Sequence, residues 1–216
     1  MTRNSFIQIS KLTNLKGRID YITNPKRQEN LYAVYDTADE KFWSELGKCN
    51  RLEFKKSGSS GKCIESRELI IALPESFCNM DKKKVLKDFT ELFRKSYGVN
   101  CIAAMHHNKT KTNLHIHLIF SERKELKNSI EKVATRNMFY DENGKHVRTK
   151  KEILDTDGNV RKGCSIIKKG EVYEYTRFSK KKAEFKARSF LKGVKTLYTD
   201  YINSFLQDKD KLQVFS

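Results

Sequence analysis

Apolar and polar positions along this chain repeat with two different periods, and the switches between them mark its elements. "SFIQISKL" (residues 5–12) carries bulk at Phe6 and Ile7 and predicts an opening strand. In "LKGRIDYITNP" (15–25), Leu15, Ile19 and Ile22 fall at helical spacing, and Pro25 predicts a short helix that closes at or before Asn24. The stretch 26–50 has no clean period and predicts loop with a short helix around Trp43, followed by a flexible basic loop, "KKSGSSGK" (55–62). "SRELIIALP" (66–74) reads as a buried strand stopped by Pro74. "MDKKKVLKDFTELFRKSYG" (80–98) places Val85, Phe89, Leu92 and Phe93 in one stripe, with Gly98 as its cap. "NCIAAMHHN" (100–108) and "NLHIHLIFS" (113–121) read as two strands joined by "KTKT", a hairpin.

After residue 123 the texture changes. "YDENGKHVR" (140–148) and "LDTDGNVRK" (154–162) share a cadence that predicts two successive hairpin turns. The second resembles the start of a calcium loop but lacks the helical flanks and the closing glutamate. A basic amphipathic helix is expected from Ser179 to about Phe205. The pattern as a whole predicts an α+β fold, a central antiparallel β-sheet flanked by helices, with a C-terminal hairpin and helix extension. Residues 1–125 are expected to form the core, and 126–216 a basic extension that completes the same domain and contacts DNA.

Composition narrows the class of partner. The chain has 216 residues, 38% of them hydrophobic, enough for a real core, yet its net charge is +17. Both halves are basic. Such an excess favours a polyanion, nucleic acid before an acidic membrane face. No apolar run approaches the ~20 residues of a membrane helix, and "MTRNSFIQIS" lacks the apolar centre of a secretory signal. Five scattered cysteines, none paired as C-x-x-C, read as reduced thiols. A soluble cytoplasmic protein without membrane insertion is expected.

Four of the five histidines lie in "HHNKTKTNLHIHLIFSER" (106–123). In a strand, His115 and His117 project to the same side, roughly 7 Å apart, while Leu114, Ile116, Leu118 and Phe120 enter the core on the other. Two imidazoles so placed can grip one ion, and neutral imidazole is the commonest metal ligand. His106 and His107 point to opposite faces of the partner strand, so at most one can join. A short turn puts a residue near 107 opposite 115, which makes His107 the expected third ligand and His106 the spare.

The strand "HIHLIFSER", with His107 upstream, resembles the metal motif of the HUH endonucleases, and within them the MobA/MobL-type relaxases. The resemblance extends to "GRIDYITNP", where such relaxases carry a nucleophilic tyrosine before a Y-I pair, and to "RELIIALP", similar to the family's strand ending in A-L-P. It spans roughly residues 5–125, with the tyrosine ahead of the histidines. What it implies is a metal-dependent DNA strand transferase that nicks one strand at an origin of transfer, leaving a 5′ phosphate on Tyr21. His107, His115 and His117 would hold Mg²⁺ or Mn²⁺, with Zn²⁺ as an alternative, and Glu68 would be an acidic residue near the site. The implied partners are single-stranded DNA, accessory mobilization proteins and a conjugation apparatus.

Charge supplies the DNA contacts. Lys55, Lys56, Lys109, Lys111, Arg123 and Lys180, Lys181 and Lys182 are expected to neutralise backbone phosphates, and Phe139, Tyr140, Tyr173, Tyr175 and Phe178 to stack unpaired bases. Two rival readings stand beside this one. Three histidines can bind zinc and activate water in a metallohydrolase. Alternatively the chain only grips nucleic acid and the histidines are inert.

Overall fold

The computed structural model describes residues 3–214, without the side chains of Lys56, Glu131, Tyr175 and Thr176. Its elements in chain order are β1 (Arg3–Asn4), β2 (Ile7–Leu12), α1 (Leu15–Thr23), β3 (Leu31–Asp36), α2 (Glu40–Lys56), β4 (Ser66–Leu73), α3 (Lys82–Tyr97), β5 (Cys101–His107) and β6 (Leu114–Phe120). There follow β7 (Glu125–Val133), β8 (Met138–Tyr140), β9 (His146–Val147), β10 (Ser165–Ile167), β11 (Val172–Phe178), α4 (Arg188–Asn203) and β12 (Leu212–Gln213). Two compact units divide them: the residues up to Glu125 with those from Lys180 on, and Leu126–Ser179.

In the first unit a five-stranded sheet runs β2-β4-β6-β5-β3, antiparallel throughout. The histidine-bearing β6 is therefore the central strand, and β5 sits between it and the edge. One face of the sheet, with Leu69, Ile71, Met105, Ile116, Leu118 and Phe120, packs on Phe89 and Phe93 of α3 and on Phe190, Val194 and Tyr198 of α4. Each such side chain, fully buried, contributes on the order of 1.5–3 kcal/mol. The other face carries Ile102, Ala104 and Ile119 with the polar groups of the candidate site, and α1 lies on it against β5.

Local chemistry sets the helix ends. The Asn14 side chain accepts from the Gly17 amide and starts α1, which stops at Thr23, one residue short of Asn24-Pro25. Asp81 caps α3 through the Lys83 and Lys84 amides, and Gly98 closes it in the left-handed region at φ 62°.

Several expectations need correction. The stretch 26–50 is not mostly loop: it holds edge strand β3 and most of the 17-residue α2, which Asp39 caps at the Phe42 amide, 2.7 Å away, and which runs on to Lys56, into the expected basic loop. The stretch 126–216, expected as one extension, is divided between the two units. Phe190, Val194, Tyr198 and Ile202 form an apolar stripe that needs a face to bury against, so α4 joins the core of the first unit. The second unit contains the β10-β8-β9 sheet and the β7–β11 pair. Both predicted turns lie in it: β8 and β9 form a hairpin around Asp141–Lys145, and Leu154 bridges Val160 across the next turn. Among the described residues all five cysteines are free, and no helix is long and apolar enough to cross a membrane.

Candidate functional site

The hairpin register decides which histidines meet. Asn108 closes the β5–β6 turn: its amide donates to the Asn113 carbonyl at 3.2 Å, and its side-chain oxygen accepts from the Thr112 and Asn113 amides. From that closure, His107 lies opposite Leu114, His106 opposite His115, and Ala104 opposite His117. Residues directly opposite share a face. His106 therefore joins His115 and His117, and His107 faces the other side. The expected third partner was His107, and the one-residue difference in register reverses the assignment.

The three rings of His106, His115 and His117 form a tight group. Their centroids lie 4.4 Å (106–115), 4.7 Å (106–117) and 4.9 Å (115–117) apart. One nitrogen from each lies within 4.8 Å of the others. His115 Nδ1 lies 3.0 Å from the Asn113 carbonyl, and His117 Nδ1 lies 2.7 Å from Glu68 Oε1. A carbonyl and a carboxylate oxygen can only accept, so Nδ1 donates in both contacts and Nε2 is the ring nitrogen left for a ligand. His106 Nε2 is buried and has no hydrogen-bond partner among the described residues. A buried polar atom without a partner is costly unless something binds there.

Burial, followed by the neighbouring His117 and His115, pushes the His106 ring down to about 4, so it is neutral near pH 7. Burial lowers His115 too. Three imidazoles with one nitrogen each gathered within 4.8 Å, one ring carrying an orphaned nitrogen, fit a divalent cation.

Glu68 is the hub behind the trio. It sits on β4, 2% exposed, where its oxygens accept from Arg18 Nε at 3.0 Å and Nη2 at 2.8 Å as well as from His117. Burial pushes its carboxyl up, but the His117 hydrogen bond and the Arg18 fork outweigh it, so the net shift is downward. A carboxylate behind a ligating histidine is the usual support of a metal site. Arg18 was not picked out from sequence, although its i,i+3 spacing to Tyr21 on a short helix is visible there. The Arg18 guanidinium lies over the Tyr21 ring, 5.1 Å from its centroid.

Tyr21 is 43% exposed and lines a cleft of about 390 Å³ together with Arg18, His106, His115 and His117. Phenol and imidazoles, about a hundred residues apart, open onto one cavity. Lys26, Arg27 and Lys109 line it as well, the first two unanticipated. The other nearby tyrosines are engaged elsewhere: Tyr32 Oη bonds His107 Nδ1 at 2.8 Å, and Tyr35 Oη donates to Glu91 at 3.0 Å.

The remaining expected DNA contacts separate into two groups. Lys55, Lys109, Lys111 and Lys180 are exposed. Arg123 is not: it is 1% exposed, bonds Asn50 Oδ1 at 2.8 Å and pairs with Glu53, so it holds the fold and cannot reach a phosphate. Lys181 donates to the Ile64 carbonyl and Glu122, and Lys182 donates to the Tyr97 carbonyl and pairs with Glu184. Both are tied to the protein's own oxygens. Of the aromatics, Phe178 is buried, Tyr173 is exposed, and Phe139 and Tyr140 are half-buried. The Lys56 and Tyr175 side chains lie outside the described residues.

The family model described as the MobA/MobL family matches residues 24–214. A solved chain from work on the molecular basis of vancomycin resistance transfer in Staphylococcus aureus is similar over 99% of both chains, with a TM-score of 0.54 and 13% identity. At that identity the likeness is one of fold. No curated protein matches the chain.

Proposed function

Since this chain belongs to the MobA/MobL family, we propose that it is a mobilization relaxase that nicks one DNA strand at an origin of transfer and can rejoin it, with Tyr21 as nucleophile. The observation that supports this most is the opening of an exposed phenol and three converging imidazoles onto one basic cleft. His106, His115 and His117 would hold a divalent ion, Mg²⁺ or Mn²⁺ with Zn²⁺ as an alternative, which when bound supplies Lewis-acid stabilisation of charge on the scissile phosphate.

The chain's own groups do the rest. A phenol is far more acidic than an aliphatic hydroxyl, so Tyr21 Oη is a competent nucleophile once its proton leaves. Its oxygen forms a bond to phosphorus as the P–O3′ bond breaks, and the departing 3′ oxygen takes up a proton. The reverse attack by that 3′ hydroxyl restores the strand. Arg18 links the two parts of the site, its guanidinium lying over the Tyr21 ring and pairing with Glu68. Both Glu68 oxygens are engaged by Arg18 and His117, so the carboxylate acts by orienting His117 rather than as a free base. Lys26, Arg27 and Lys109 would neutralise flanking phosphates, giving affinity and salt dependence without base readout. Accessory mobilization proteins and a conjugation apparatus would be its further partners.

The test is to incubate the protein and Mn²⁺ with labelled single strands tiling the transfer origin of its element. An SDS-resistant adduct mapped to Tyr21, absent in Tyr21→Phe although DNA is still bound, is the expected result. Free fragments without adduct would instead favour the zinc metallohydrolase. An adduct on Tyr32 or Tyr35 would replace the nucleophile.

A further inference from the structure

On the sheet face opposite the histidine trio, a second group of donors converges. The turn Glu75–Asn79 that follows β4 is a 3-10 helix, whose side chains at i and i+3 eclipse. Glu75 and Cys78 therefore stand on one side of it, and Cys78 Sγ lies 3.3 Å from Glu75 Oε1. His107, the last residue of β5, reaches the same point: its Nε2 is 3.6 Å from Cys78 Sγ. Its other nitrogen is held by the Tyr32 hydroxyl, on the extra residue of a bulge in β3. That contact orients the imidazole so that Nε2 faces the thiol.

We propose that Glu75, Cys78 and His107 form a second metal site, distinct from the histidine trio, for a borderline divalent transition ion of the Zn²⁺ class. One ligand atom from each residue lies within 4.8 Å of the others. The donor set is a thiol, an imidazole and a carboxylate, all of them established zinc ligands, and a fourth position is left for solvent. Thiolate and carboxylate together bring the two negative charges that a divalent ion neutralises. The nearby Lys82 ammonium is drawn off onto the Cys78 and Met80 carbonyls. Glu75 is exposed and Cys78 half-exposed, so the site opens to solvent. On binding, the Cys78 S–H proton passes to solvent and a metal–sulfur bond replaces it.

The two sites sit back to back because His106 and His107 are consecutive on one strand and project to opposite faces. Their chemistry separates them. The trio offers only nitrogen, whereas the second site offers sulfur. An ion there would pin the turn after β4 to the end of β5, itself one strand of the hairpin that carries the trio.

Cobalt(II) distinguishes the two, because only a thiolate ligand produces an intense sulfur-to-cobalt charge-transfer band in the near ultraviolet. Titration of the full chain with Co²⁺ should produce that band, and His115→Ala should keep it. Cys78→Ser should lose it, and His107→Gln should lose or strongly weaken it, with circular dichroism confirming that both variants fold. In parallel, Zn²⁺ should slow alkylation of Cys78, followed by mass spectrometry, in wild type but not in His107→Gln. No band in wild type, or a band that survives Cys78→Ser, overturns the proposal. These readouts need no DNA and no cleavage, so failure here is separate from failure of the relaxase reading.

Discussion

Replacing Glu68 by Gln removes one charge and almost no volume, and it tests whether the trio depends on its support. In the native site two Glu68 oxygens accept from Arg18 Nε and Nη2 and from His117 Nδ1 at 2.7–3.0 Å. Gln retains one acceptor, and its NH₂ group confronts a donor nitrogen. His117 then loses the partner that holds its tautomer, and the lone pair on Nε2 is no longer fixed on the trio. Changes of this kind behind a metal ligand cost about 10–100-fold in affinity, or roughly 1.4–2.7 kcal/mol. Stability should fall as well. Breaking a buried ion pair costs ~3–5 kcal/mol, but the Arg18 side chain is 27% exposed and water screens part of its charge. About 2–3 kcal/mol is therefore expected, consistent with losing a charge-assisted hydrogen bond. Mn²⁺ calorimetry on the folded protein and urea unfolding measure the two quantities separately. Ser10→Ala is the control: its hydroxyl is 3.4 Å from Glu68 Oε2, too long to matter much, so less than about 1 kcal/mol should be lost. If Glu68→Gln binds Mn²⁺ as wild type does while unfolding is unchanged, Glu68 does not orient His117 and the reasoning fails.

Other consequences follow from the same contacts. His106→Ala should abolish Mn²⁺ binding at the trio and cleavage together, whereas His107→Ala should leave Mn²⁺ binding intact; calorimetry on both variants checks the register, and the opposite result reverses it. Arg123→Ala should lower the urea midpoint by an amount equivalent to ~3 kcal/mol, because Glu53 and buried Asn50 lose their partner, without changing the salt dependence of DNA binding. Lys109→Ala should do the converse, leaving stability alone and reducing the slope of log affinity against log salt by about 1. In Glu122, burial raises the carboxyl but Lys181 and Arg67 more than reverse it, so its folded value lies below 4.5. The stability it contributes is complete above its ordinary value and is lost as pH falls through the depressed one. Unfolding midpoints measured across the acid range should therefore fall less steeply in Glu122→Gln than in wild type.

Elements with a clean period were legible in sequence, and those whose stripe is interrupted by buried polar groups were not. α3 shows the first case: Val85, Phe89 and Phe93 recur at every fourth position, and a capping Asp and a closing Gly bracket them. α2 shows the second. Its buried stripe begins with Phe42, Trp43 and Leu46 but continues through Asn50, which is 3% exposed and holds the Glu65 carbonyl and Arg123. A pattern that counts only apolar residues stops at Leu46 and predicts a short helix around Trp43. Arg123 was misjudged for the same reason. Nothing local distinguishes an arginine that will pair with Glu53 across 70 residues from one that will meet a phosphate.

The histidines expose a subtler limit. Strand alternation correctly required that only one of His106 and His107 could join His115 and His117, but it could not choose between them. In an antiparallel hairpin the paired residue numbers have a constant sum, and the parity of that sum decides which neighbour shares a face with His115. Here the pairs 107 with 114 and 106 with 115 set it. The parity comes from the turn, where Asn108 gathers the amides of Thr112 and Asn113 and Lys111 takes a left-handed φ of 55°. A turn one residue shorter or longer would bring His107 into the trio and send His106 to the face of Cys78. Which histidine serves which site is thus a property of six residues of loop geometry, not of the strands that carry the ligands.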